Sequence, residues 1–235
     1  MLAYIQLRAR NRYRTGERPI GREVGEKVRR LIDDHVISLG IDPKIPPISL
    51  TDGDFDAHVD KQRSPRAKAS EMEHALRYHI RKHFDEDPEY YERLSERLKG
   101  ILKELEGQWV ALVEALKPEI QAAKKGRQAD GTGLDPETQS PFFDMLQREV
   151  TGGVPADGAL RDLLCRVTVD MVDHVQQELR LLNFWESDHA REVLRKWIVQ
   201  FLDSHDGLLP FDRLEAVADR LVELAKANHF KLVRG

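Results

Sequence analysis

His79 and His83 stand four residues apart, with His74 and His58 upstream. On a helix that spacing puts two imidazoles on one face, from which a zinc ion can be held on one side. A zinc metalloprotease also needs a glutamate directly after the first histidine; Ile80 stands there instead, and no cysteine is near. The pair reads as two polar-edge histidines beside an apolar stripe. Asp52, Asp54, Asp56 and Asp60 match positions 1, 3, 5 and 9 of a calcium loop. Ala57 sits where that loop needs its turning glycine, and Arg63 where a bidentate glutamate must close the shell. The closing charge has the wrong sign, so a solvated acidic turn is expected. Asp170 and Asp173 beside His174 could form an acid/base group, but the helical period puts them on a polar face. Ser187, Asp188 and His189 are consecutive, which aims their side chains apart, whereas a triad needs convergence.

The remaining chemistry-bearing cluster is a comb of arginines, Arg8, Arg10, Arg12 and Arg14, with Tyr4 and Tyr13 among them. It is the candidate DNA-contacting surface, because guanidinium groups in series suit a phosphate backbone. The competing reading is the solvated side of a helix whose apolar side docks elsewhere. Residues 1–30 hold nine Lys or Arg against three Glu, about +6 within a chain of net charge -4. There is no GxxxxGK[ST] loop for a nucleotide triphosphate, no GxGxxG after a strand and no GxSxG elbow. No catalytic, metal or cofactor-binding residue is therefore assigned, and the motifs point to a helical interaction module.

The elements around these residues are amphipathic helices. Leu160, Leu163, Leu164, Val167, Met171, Val175, Leu179 and Leu182 recur at three- and four-residue steps. Ala190, Val193, Leu194, Trp197, Ile198, Phe201 and Leu202 do the same after the corner Asn183-Phe184-Trp185, with Ser187 as the N-cap between. Asp206-Gly207 should end that helix, and Pro210 should open another lined by Leu214, Val217, Leu221 and Ala225. Upstream, Ser70 and Glu73 have the form of a capping box before Met72, Leu76, His79 and Ile80. Asp87-Pro88 then starts the longest pattern: Tyr91, Leu94, Leu98, Ile101, Leu105, Trp109, Leu112, Leu116. Unbroken to Ala123, it makes a helix of roughly 35 residues and about 50 Å, bent near Pro118 and antiparallel to the 160–182 seam. Residues 124–139 form a loop and 141–150 a short apolar helix. A further short helix is expected over 24–40, and 41–64 reads as a connecting segment with at most one small strand at 45–50. The expected fold is mainly α: a helical bundle with long coiled-coil-like helices after a short irregular linker. Residues 1–65 form the basic connecting segment and 66–235 the helical domain, with Trp109, Phe184, Trp185, Trp197 and Phe201 as its structural core.

A single cysteine, Cys165, excludes an internal disulfide and fits a reducing compartment. No run nears the ~20 apolar residues of a membrane span, and Arg8 to Arg14 stand where a signal peptide needs its apolar region. A cytoplasmic protein is expected, with no membrane partner.

Several stretches resemble the C-terminal region of the R subunit of type I restriction enzymes. They are His79-Ile80-Arg81-Lys82-His83-Phe84-Asp85-Glu86-Asp87-Pro88 with Leu94-Ser95-Glu96-Arg97-Leu98, and Leu134-Asp135-Pro136-Glu137-Thr138 with Pro141-Phe142-Phe143. Asn183-Phe184-Trp185 with Trp197-Ile198, and Ala218-Asp219-Arg220-Leu221-Val222-Glu223-Leu224, extend the likeness over most of 24–234. The resemblance implies a helical domain that holds an ATP-dependent DNA motor and nuclease onto methyltransferase and specificity subunits. It implies partners in those subunits, in upstream motor and nuclease domains, and in DNA within the full complex. ATP and magnesium are implied only for the full-length subunit, whose Walker, DEAD-type and nuclease motifs have no matching positions here. On this view the chain is the C-terminal part of such a subunit, with residues 1–64 as the tail of an absent motor domain. The alternative is a free-standing helical DNA-binding or regulatory protein that uses its basic N-terminus.

Overall fold

The computed structural model describes residues 49–205 and 207–234, and among them it is helical with no strand. The helices are α1 (Phe55–Lys61), α2 (Pro65–His83), α3 (Pro88–Glu104), α4 (Trp109–Lys125) and α5 (Ser140–Thr151). They continue as α6 (Gly158–Glu178), α7 (Asp188–Asp203), α8 (Phe211–Ala227) and α9 (His229–Arg234). Two 3-10 turns, η1 (Phe84–Glu86) and η2 (Phe184–Glu186), make the corners before α3 and α7. The mainly-α fold is as the periodicity predicts. The expected helix over 24–40 lies outside the described residues, as does most of the expected strand, of which Leu50 is in a turn.

Side-chain caps set the starts of α2, α3 and α7. Asp87 accepts from the Tyr90 amide at 3.2 Å and Pro88 follows it, so α3 begins where expected. Ser187 accepts from the Ala190 amide at 3.2 Å and opens α7. The capping box expected at Ser70 is not used. Ser64 caps α2 instead, accepting from the Ala67 amide at 3.2 Å with Pro65 at the first helical position. Ser70 thus lies inside the helix, and Glu73 pairs with Arg77 at 2.9 Å. Residues 55–61, read from the sequence as part of a connecting segment, form α1, which buries Phe55 and Val59.

The single long helix is corrected to two. The chain reverses over residues 105–108, with Gly107 at φ +78°. L side chains rarely adopt that conformation, so glycine is favoured there. The Tyr90 hydroxyl donates to the Ala122 carbonyl at 3.2 Å, and Arg97 meets Glu119 at 3.1 Å. Those two rungs make α3 and α4 antiparallel, so the apolar seam folds back on itself. The expected partner is corrected as well: α4 packs most extensively on α2, whereas α6 packs on α5 and α7.

One continuous apolar core runs through α5 to α9, centred on Phe142, Leu146, Leu164, Met171, Leu194, Ile198, Leu214 and Leu221. The buried side chains of α1 to α4, among them Phe55, Leu76, Ile80, Leu94, Leu98 and Leu116, lie outside that cluster. The 160–182 stripe overruns its core, since Leu182 is 90% exposed. No helix among the described residues is long and apolar enough to cross a membrane.

Candidate functional site: the ion-paired junction at helix α5

Helix α5 is twelve residues long and buries Pro141, Phe142, Phe143, Met145 and Leu146, but also Asp144 and Glu149. A carboxylate in such a run loses its water and must be paired. Asp144 accepts from Arg93 at 2.6 Å and from Arg127 at 2.7 Å. Arg127 follows Gly126, whose φ of +66° turns the chain off the end of α4. Its guanidinium forks onto Asp87, Nε to Oδ2 at 2.7 Å and Nη2 to Oδ1 at 2.9 Å. Asp87 thus caps α3 and anchors Arg127 with one carboxylate. Burial works against the Arg127 charge, but the hydrogen bonds and charges of Asp87 and Asp144 outweigh it and push its pKa up.

Two further clusters extend the junction. Arg148 of α5 meets both oxygens of Glu89 at 2.7 and 2.8 Å, and Glu92 at 2.5 Å, on α3. Glu149 of α5 is held by Arg213 and Arg220 of α8, and its backbone carbonyl accepts from Arg213 at 3.0 Å. Successive charges on α5 therefore reach in different directions, Asp144 and Arg148 to α3 and the end of α4, and Glu149 to α8. A third cluster lies at η1. Glu86 accepts from Lys231 of α9 at 2.6 Å and pairs with His83 at 2.8 Å. The Glu86 carbonyl accepts from Asn228 at 2.7 Å. Burial opposes the Glu86 charge, yet the Lys231 and His83 hydrogen bonds hold its carboxyl below the ordinary range. With their oxygens engaged by cations, these carboxylates fasten helices together.

Apart from His83 at Glu86, the residues singled out from the sequence fall elsewhere. Arg8, Arg10, Arg12 and Arg14 lie outside the described residues. His79 and His83 do come together, with ring centroids 4.6 Å apart, but no three His, Cys, Asp or Glu converge on a metal-sized site among the described residues. Asp56 and Asp60 lie on α1 and pair with Lys124 at 3.0 Å and Lys68 at 2.9 Å, so the calcium-loop spacing is taken up by a helix. Asp170 and Asp173 are exposed on α6, and His174 stacks on Trp197 at 3.6 Å.

Of the aromatic residues expected in the core, Phe184 is buried, while Trp185, Trp197 and Phe201 are half-buried against it. Trp185 packs edge-on to Phe184 at 5.0 Å, and Phe201 stacks on Trp197 at 4.8 Å. Trp109 is half-buried beneath the Arg66 guanidinium, 5.4 Å from its ring. The expectation that Trp109 and Trp197 are buried is corrected: both are half-buried, large rings at the edge of the packing. Asp144, Arg127, Arg148 and Glu149 were not singled out from the sequence. Asp144 carried a signal, being a charge inside an otherwise apolar run.

Comparison with protein-family models, curated proteins and solved structures found no match.

Proposed function

We propose that the chain is a non-catalytic helical assembly domain of a type I restriction enzyme R subunit, acting in the cytoplasm. It docks an ATP-dependent DNA translocase and endonuclease onto the methyltransferase–specificity core. The observation that carries this reading is where the resembling stretches fall. Asp87-Pro88 caps α3 and receives Arg127. Asp135 turns the chain into α5, its side chain accepting from the Glu137 and Thr138 amides at 3.0 and 2.7 Å. Asn183, in the left-handed region at φ 57°, makes the corner that buries Phe184. The likeness thus covers the residues that set the helix directions, which is the part of a docking domain that must keep its shape under load.

The test is assembly. The full chain is mixed with a cognate methyltransferase–specificity complex and run by size exclusion with light scattering. A stable stoichiometric complex is expected. Failure to associate, together with tight binding of the isolated chain to one DNA sequence, would overturn the reading in favour of a free-standing regulator.

A further inference from the structure

We propose that the cleft between the start of α2 and the tip of the α3–α4 hairpin docks an acidic peptide segment of a partner protein, one with a large apolar side chain beside its carboxylates. The cleft has a volume of about 740 Å³, within the roughly 300–1,000 Å³ of ligand sites. Its walls include Pro65 and Arg66 from the first turn of α2, and Gln108, Trp109, Val110 and Ala111 from the opening of α4. Four of those six are apolar. Val110 is 67% exposed, although Leu112, Val113 and Leu116 of the same helix are buried. Of the six, only Trp109 is half-buried and the others are exposed. The cleft therefore opens along the surface, and an extended chain can lie across it.

Arg66 supplies the sign of the partner. Its guanidinium carbon lies 5.4 Å from the Trp109 ring centroid, and it meets no carboxylate among the described residues. Arg127, Arg148 and Arg213, by contrast, are each held by one. A guanidinium resting on an indole keeps its N–H donors for an incoming carboxylate, while the ring packs against the carboxylate's apolar neighbour. Helices α2 and α4, of 19 and 17 residues, both begin at this cleft, so their positive ends add to the charge of Arg66. Gln108, the N-cap of α4, makes no side-chain cap hydrogen bond and leaves the first amides of the helix to other acceptors. Charge alone would suit any small anion. The apolar walls are what favour a carboxylate with hydrocarbon attached over inorganic phosphate.

Binding of the full chain to an array of octapeptides tests this. Each peptide carries paired glutamates and one leucine, phenylalanine or tryptophan at varied spacing, with matched copies that have lysine for glutamate or serine for the apolar residue. Members of the first set should bind and neither kind of copy should. Val110→Glu places a carboxylate in the cleft and, as an acid in the first turn of α4, should leave the fold intact. It should weaken binding by about 10-fold, through repulsion of the peptide's own carboxylates. Arg66→Glu should weaken it as far and should gain the lysine copies. Thermal unfolding identifies which variants fold, and either one carries the comparison if the other does not. No binding by any acidic member, equal binding of the lysine or serine copies, undiminished binding in the folded variants, or displacement by millimolar inorganic phosphate would each overturn the proposal. Dimerisation of the chain abolished by Val110→Glu would overturn it too, by giving the cleft to a second copy. The array contains no restriction-enzyme subunit, so this result is independent of the proposed function.

Discussion

Arg127 shows how one side chain outside any helix can tie two of them together. Its guanidinium is about a tenth exposed and ties the N-cap of α3 to the middle of α5. Removing one member of a buried pair strands its partners, at a cost of about 3–5 kcal/mol. Arg127→Met is therefore expected to lower unfolding stability by about that amount in urea titration, because Asp87 and Asp144 lose a shared cation together. Arg127→Lys should recover little, since a point charge cannot repeat the fork onto Asp87. A loss below ~0.5 kcal/mol for Arg127→Met, the level of an ordinary surface change, would mean that the junction is not held here.

At the scale of elements, the break between α3 and α4 rests on residues 105–108. Gly107 has a positive φ, and nothing lies within 4 Å of a Cβ built on it. Gly107→Ala should therefore cost about 1 kcal/mol through backbone conformation alone. In a continuous helix the same change would stabilise by about 1 kcal/mol, because alanine is the better helix former. The sign of the shift in thermal unfolding separates a helical hairpin from one long helix. Position 100 is the control: Gly100 lies within α3 without a positive φ, and Gly100→Ala should stabilise.

For the whole molecule, the ion pairs at α5 engage their arginines with carboxylates, and the arginine comb that the sequence offers for phosphate contact lies outside the described residues. Each phosphate contact adds about -0.9 to the slope of log affinity against log salt on duplex DNA. Engagement of all four arginines, Arg8, Arg10, Arg12 and Arg14, should give a slope near ~-3.6, and changing them together to serine should flatten it. Weak, sequence-blind binding at low salt is the expected result in a chain of net charge -4. A flat response in the unaltered chain would remove DNA contact and leave docking alone.

The sequence by itself determined the helical class, the starts of α3, α7 and α8 and the corner at Asn183, because caps, prolines and apolar period are local properties. Asp87-Pro88 and Ser187 could be read directly, since each satisfies amides two or three residues away. The tertiary structure decided what periodicity cannot carry. A three- and four-residue apolar step continues unchanged across Gly107, so the stripe did not reveal that the helix folds back there. Nor does a stripe name its partner: α4 met α2, and the 160–182 seam met α5 and α7. Leu182 continued its pattern into solvent, and Trp109 and Trp197 settled at the rim. The junction at α5 was the least legible part. Arg127 reaches Asp87 across 40 positions, and Arg220 reaches Glu149 across 71. Pairing over such separations depends on which helices become neighbours, and only packing decides that.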